Sequence, residues 1–259
     1  MEESFVLLKP DALNSIKIRK KIFDLLKNQL DIFDQKKIYL SEKDVDIIWP
    51  YCKYDPVCHW IIEQYVCKKE LLLLRVKGKD ALNIVVNIKK EIRKKYATSP
   101  VQNCIHAPSN QLEYYKDINC ILCEKKQLDY FYDSIVVGNF SRIKNFSIDE
   151  LRDCAEKIIE RFSITSFAKY QYEKCKGKEP ILYILNDDIH DARYVASAIL
   201  EIFPKATLLE AYWIAMGVDY EGKYPLMNLI DYFNLEEINR IEILFSKVGI
   251  RVERNKSEK

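Results

Sequence analysis

Short apolar runs alternating with amphipathic helical patterns predict an α+β protein, and the order of those patterns divides the chain in two. Over residues 1–130 the order is strand, helix, strand, helical hairpin, strand, helix, strand. Residues 131–259 follow a different order and show no repeat of the first half. The reading is one α+β domain followed by a second, in a chain of 259 residues with the hydrophobic share, 48%, of an ordinary packed protein.

The elements of the first half follow from local pattern. Residues 4–8, Ser-Phe-Val-Leu-Leu, form an unbroken β-branched and aromatic run stopped by Lys9-Pro10. Ile18, Ile22, Leu25, Leu26 and Leu30 then recur at helical spacing, with lysines and Arg19 on the other face. Residues 32–40 read as the second strand. Ser41, followed by Glu42 and Asp44, marks a helix start, and Pro50 ends that helix. Pro56 opens another helix through Tyr65, residues 70–76 are a core strand, and residues 79–95 form a helix with Ala81, Leu82, Val85, Ile88 and Ile92 inward. After the turn-rich stretch 96–100, residues 101–105 run extended toward His106. A fourth strand there completes β-α-β-β-α-β, the ferredoxin-like arrangement of an antiparallel sheet with both long helices on one face.

Composition excludes several classes. The chain carries 41 basic and 39 acidic residues, a net charge of +2, which argues against a whole-surface nucleic-acid binder and leaves room only for local basic patches. The acidic start MEESFVLLKPD is unlike a signal peptide, and no apolar run approaches about 18 residues, so neither a leader nor a membrane span is expected. Of eight cysteines, Cys120 and Cys123 form one CxxC with no second pair at zinc-ribbon spacing; reduced thiols and a cytoplasmic location are the expectation. With six glycines there is no GxGxxG and no Walker A sequence.

Three stretches carry the chemistry: FVLLKPDAL, PVCHWIIEQY and QNCIHAPSNQLEYYKDI. The first and third resemble the nucleoside diphosphate kinase family, whose first strand ends in Lys-Pro-Asp and whose phosphate-carrying histidine lies in Asn-x-x-His. The counterparts are Lys9-Pro10-Asp11 and Asn103-Cys104-Ile105-His106, with Asp117 eleven positions after the histidine. The resemblance covers about residues 3–130. It implies ping-pong transfer of the γ-phosphate of a nucleoside triphosphate through His106 to a nucleoside diphosphate. Asp117 would orient the imidazole, Lys9 would supply charge to the polyphosphate, Asn103 would bond a sugar hydroxyl, and Mg²⁺ would be carried mainly by the nucleotide. Arg93 is the candidate phosphate-binding arginine, with Lys94 or Lys95 assisting, and Tyr51 and Trp60 are candidates for packing beside the nucleotide. A symmetric homo-oligomer is a further implication of the family.

The chain departs from the family pattern at several places. Ala107-Pro108-Ser109-Asn110 stands where the family has Gly-Ser-Asp-Ser, so the hydroxyl that buttresses the acidic orienter is lost at Pro108. Val86 replaces a basic residue, and Val57-Cys58 replace a phenylalanine pair, so a base-stacking ring must come from His59 or Trp60. Two alternatives therefore stand beside the enzyme: a catalytically degenerate nucleotide-binding module, and a scaffold recognising another macromolecule through an exposed apolar patch around Tyr212, Trp213 and Tyr224.

In the second half, residues 133–140 and the run EPILYIL read as strands, and Ser147 with Glu150 forms a capping box before a helix. Asp187, Asp188, His190 and Asp191 precede another helix, either as acidic caps or as ligands for a divalent metal. Residues 206–215 and 224–234 are apolar and aromatic at helical spacing, residues 235–248 form the last helix, and the loop MGVDYEGKYPL is a candidate contact surface.

Overall fold

The structure is a computed structural model; it describes residues 1–50, 55–122, 145–174, 182–187, 189–226, 229 and 235–255. Two compact units emerge, one of residues 1–54 and 59–131, the other of residues 55–58 and 132–259.

In the first unit, β1 (Glu2–Leu8) is followed by a one-turn α1 (Pro10–Leu13) and by α2 (Ile16–Lys27), whose N-cap Ser15 accepts from the Ile18 N–H. Then come β2 (Asp31–Ile38), α3 (Glu42–Ile48), α4 (Pro56–Val66), β3 (Leu71–Gly78), α5 (Ala81–Tyr96), β4 (Ile105–His106) and α6 (Gln111–Ile121). The strands form one sheet in the order β2-β3-β1-β4 with every neighbour antiparallel, which is the ferredoxin-like order. Its centre, β1 and β3, is buried on both faces, hence the unbroken apolar runs.

Strand alternation sorts the core into two layers. Val6, Leu8, Leu72, Leu74, Val76 and Ile105 face Ile22 and Leu26 of α2 and Val85, Ile88 and Ile92 of α5. Phe5 points to the opposite face, toward Tyr114 of α6 and His106. His106 pairs with Leu7, and Ile105 with Leu8, so consecutive residues of a two-residue strand serve opposite layers.

Two elements differ from expectation. The extended run over 101–105 shrinks to Ile105 and His106, because bonds within residues 98–103 fold that stretch back on itself and Cys104 adopts a left-handed backbone (φ 69°). Helix α6 is unannounced by apolar periodicity, because its buried face includes the polar Lys116 and Asp117.

The second unit has a three-stranded antiparallel sheet, β5 (Leu182–Leu185) between β6 (Lys223–Pro225) and β7 (Val252–Arg254). It is joined by α7 (Ile148–Ile164), α8 (Phe167–Lys174), α9 (Ala192–Ile202), α10 (Leu208–Glu221) and α11 (Leu235–Lys247). Ser147 and Glu150 make the expected capping box. The helical reading of 224–234 is corrected at its start: Gly222 (φ 79°) terminates α10 and turns the chain into β6, which takes up Tyr224 and Pro225. The MGVDYEGKYPL stretch is thus mostly helix and strand. Tyr212, Trp213 and Tyr224 are fully buried instead of forming an exposed patch. Trp213 Nε1 donates to the Tyr224 hydroxyl at 3.2 Å, and that hydroxyl donates to the Phe167 carbonyl at 2.9 Å, so each buried polar group has a partner. The strand expected over 133–140 and the residues Cys123 and Asp188 lie outside the described residues. Among the described residues no helix is long and apolar enough to cross a membrane.

Gly217 of α10 marks a close approach: a Cβ there would lie 2.7 Å from the Tyr224 ring. Alanine has better helix propensity by about 1 kcal/mol, but the buried ring cannot yield, and overpacking costs about 1–3 kcal/mol. Gly217→Ala is therefore expected to lower the urea midpoint, and an increase would show that α10 and β6 can move apart.

Candidate active site

The site begins with the end of β1. Asp11, two residues beyond Lys9, accepts the Cys104 backbone N–H through Oδ2 at 2.7 Å, and the Lys9 N–H donates to the Cys104 carbonyl at 2.9 Å. These bonds hold Cys104 in its left-handed conformation and bring β4 alongside β1. Burial and the neighbouring Asp11 push the Cys104 thiol up to about 12, so it is an inert core thiol.

His106 leaves this edge into the layer lined by Phe5 and Trp49, with ring centroids at 6.0 and 5.3 Å. Nε2 lies 2.7 Å from Asp117 Oδ2, and Glu113 Oε1 lies 4.0 Å from the same nitrogen. A carboxylate accepts, which places the hydrogen on Nε2 and the lone pair on Nδ1. Burial lowers the His106 pKa against the opposing hydrogen bond and charge of Asp117 and the charge of Glu113; Lys9 adds to the lowering. The imidazole is neutral at physiological pH.

Asp117 is itself fully buried. Its Oδ1 lies 3.1 Å from Lys116 Nζ, at an angle that makes the contact an ion pair without a hydrogen bond, and Lys116 also donates to the Ile48 carbonyl at 3.3 Å. Lys116 is thus a cation beside Asp117 that sequence reasoning did not single out. A lysine beside the acid in the sequence is no signal by itself, since adjacent helical residues ordinarily point to different sides.

Lys9 is nearly buried, donating to Asn103 Oδ1 at 2.7 Å and to the Val101 carbonyl at 3.2 Å, with its ammonium 5.4 Å from the Trp49 ring. The Asn103 amide nitrogen donates to the Pro100 carbonyl. Arg93 donates through Nε and a terminal nitrogen to the Ile105 carbonyl at 3.2 and 2.9 Å, one residue from His106. One helical turn earlier Lys89, which sequence reasoning passed over, donates to the Ala107 carbonyl at 2.7 Å and the Ser109 hydroxyl at 2.8 Å. Burial and the adjacent Arg93 push Lys89 down to about 8. Lys9 with Asn103, His106 with Asp117, and Arg93 therefore gather around β4. Trp60 is half-buried in α4, and the indole against His106 is that of Trp49; Tyr51 lies outside the described residues.

His106, Glu113 and Asp117 also offer three donor atoms within 4.8 Å of one another. Asp117 is already engaged by His106 and Lys116, Glu113 Oε2 accepts the Ser109 N–H, and Lys9 stands close enough to lower His106, so the set is a poor cage for a dication. In the second unit, Asp187 accepts the N–H groups of Ile189 and His190 and lies 2.8 Å from His190 Nδ1, while Asp191 caps α9 through the Tyr194 N–H. The acidic-cap reading describes Asp187 and Asp191.

Because burial depresses the folded-state pKa of His106 below its unfolded value of about 6.5, the unfolded chain binds the proton first. The stability this group contributes is complete above about pH 6.5 and is lost as pH falls through the lowered folded value. Urea titrations across that range should show a flatter stability–pH curve for His106→Gln, and parallel curves would contradict the assignment. Removing one partner of a buried ion pair costs about 3–5 kcal/mol; Lys116→Met is expected to destabilise on that scale, and a loss under about 1 kcal/mol would mean Asp117 does not depend on it.

No family model matches the chain, and no curated protein matches it. Solved structures do. A nucleoside diphosphate kinase of Encephalitozoon cuniculi is 21% identical, covering 51% of this chain and 97% of that one, with a TM-score of 0.43. That of Halobacterium salinarum, solved in complex with CDP, is 18% identical, with 51% and 94% covered and a TM-score of 0.42. The Aquifex aeolicus enzyme is 18% identical, with 46% and 93% covered and a TM-score of 0.41. The chain is similar over about half its length to nucleoside diphosphate kinases.

Proposed function

We propose that the first unit is a nucleotide-dependent phosphotransferase that carries the γ-phosphoryl group of a nucleoside triphosphate on His106. The observation that supports this most is the buried imidazole tied through Nε2 to Asp117, which leaves the Nδ1 lone pair for attack. Nδ1 would bond to the γ-phosphorus as the bond to the bridging oxygen breaks, and the diphosphate would leave with that electron pair. The phosphoimidazole, still sharing its Nε2 hydrogen with Asp117, would then yield the group to an acceptor diphosphate by the reverse displacement. Lys9, Lys89 and Arg93 would supply positive charge to the phosphates, with Mg²⁺ entering on the nucleotide. Free thiols among the described residues fit a reducing, cytoplasmic setting.

A second reading, a nucleotide-binding module without turnover, draws on one specific feature. The ammonium of Lys9 and the guanidinium of Arg93 already serve internal carbonyl and amide acceptors, which phosphate oxygens would have to displace.

Incubation with γ-labelled ATP and Mg²⁺, followed by an alkaline quench, distinguishes the two. The expected result is an acid-labile phosphohistidine that is absent in His106→Ala and reduced by about 10²-fold or more in rate in Lys9→Met, as for loss of one electrostatic donor. Nucleotide binding by calorimetry without label would establish the module and exclude the enzyme.

A further inference from the structure

The two helices covering one face of the first sheet hold far more positive charge than the chain as a whole. Five basic residues of α2 are set against Asp24 alone, and five of α5 against Glu91 alone. These helices therefore carry +8, while the whole chain carries +2, so the remaining residues together are at −6.

The fold concentrates this charge further. Leu30, beyond the end of α2, lies against Gly78, before the start of α5, and Lys21 pairs with Glu91 at 3.2 Å. The helices are antiparallel, and the first half of α2 lies beside the last half of α5. Lys17, Arg19, Lys20, Lys90, Lys94 and Lys95 are thereby gathered at one end, all exposed, and none has an acidic partner within ion-pair distance among the described residues. Lys94 and Lys95 complement the negative end of the α5 dipole, but Lys17, Arg19 and Lys20 stand at the positive end of α2, where no acidic residue offsets them. Helix stability does not account for that placement.

We infer that this face binds the phosphate backbone of a double-stranded nucleic acid without reading its sequence. Asn87, one helical turn before Glu91, is an exposed polar position beside the cations, and Ile16 is the one exposed large apolar residue described on the two helices. A membrane contact would present apolar side chains able to enter the lipid interface. Rigid helices bearing ammonium, guanidinium and amide donors match phosphate oxygens instead. Six cations set an upper limit of about −5 on the slope of log affinity against log salt, with affinity in the non-specific range of about 10⁻⁴–10⁻⁶ M. The inference is independent of phosphotransfer at His106.

Fluorescence anisotropy with a labelled mixed-sequence duplex, over a salt series, tests it on the full chain. The expected result is a linear loss of affinity with log salt, at a slope of about −3 to −5. Lys20→Glu/Lys94→Glu should weaken binding at low salt by about tenfold or more and flatten the slope. Lys36→Glu/Lys43→Glu changes the net charge equally at exposed positions of β2 and α3 and should bind about as the parent does. Circular dichroism melting reports whether each variant folds, and Lys17→Gln/Lys90→Gln substitutes if the reversal does not. Salt-independent or undetectable binding overturns the inference, as does an equal loss in the Lys36/Lys43 control. Binding to phosphatidylserine vesicles in preference to the duplex overturns it in favour of a membrane contact.

Discussion

The carboxylate of Asp11 on the backbone N–H of Cys104 holds together more of this molecule than its 2.7 Å suggests. Cys104 carries a side chain in a left-handed conformation, which is strained for any residue but glycine and persists only where neighbours fix it. With that residue fixed, Ile105 returns to the α2–α5 core and His106 turns to the opposite layer. A flip of this one residue would exchange the two, placing an imidazole among leucines and isoleucines. The Lys-Pro-Asp at the end of β1 thus has a structural function in its third residue, whatever the first residue does for a ligand.

Around His106 the electrostatics balance through proximity. An isolated Asp117 beside the imidazole would favour imidazolium; burial opposes this, and Lys9 adds its own charge against a second positive centre. Lys116, on the same helix, places its charge 3.1 Å from the far oxygen of Asp117 without a hydrogen bond to it.

The sheet also partitions charge. One layer encloses the titratable cluster with Phe5, Trp49 and Tyr114, and the other is faced by helices whose outward surface is strongly basic. A near-neutral composition and a polarised surface are compatible because secondary structure sends alternate residues to different sides.

Sequence by itself determined the strands of the first unit and β5, most helices and the ferredoxin-like order, because apolar periodicity, prolines and caps such as Ser41 and Ser147 are local signals carried within a few residues. It also pointed to Lys9, Asn103, Arg93, His106 and Asp117 as a set, and these converge on β4. The tertiary structure decided the rest. That the Ile48 carbonyl holds Lys116, that Lys89 reaches the loop after His106, and that Trp49 flanks the imidazole depends on contacts between residues far apart in the chain. At Tyr224 and Pro225 the helical spacing misled for the same reason: Gly222 and pairing with β5 override local apolar spacing. The concentration of cations on α2 and α5 likewise required two antiparallel helices on one sheet face, a juxtaposition that no count of lysines contains.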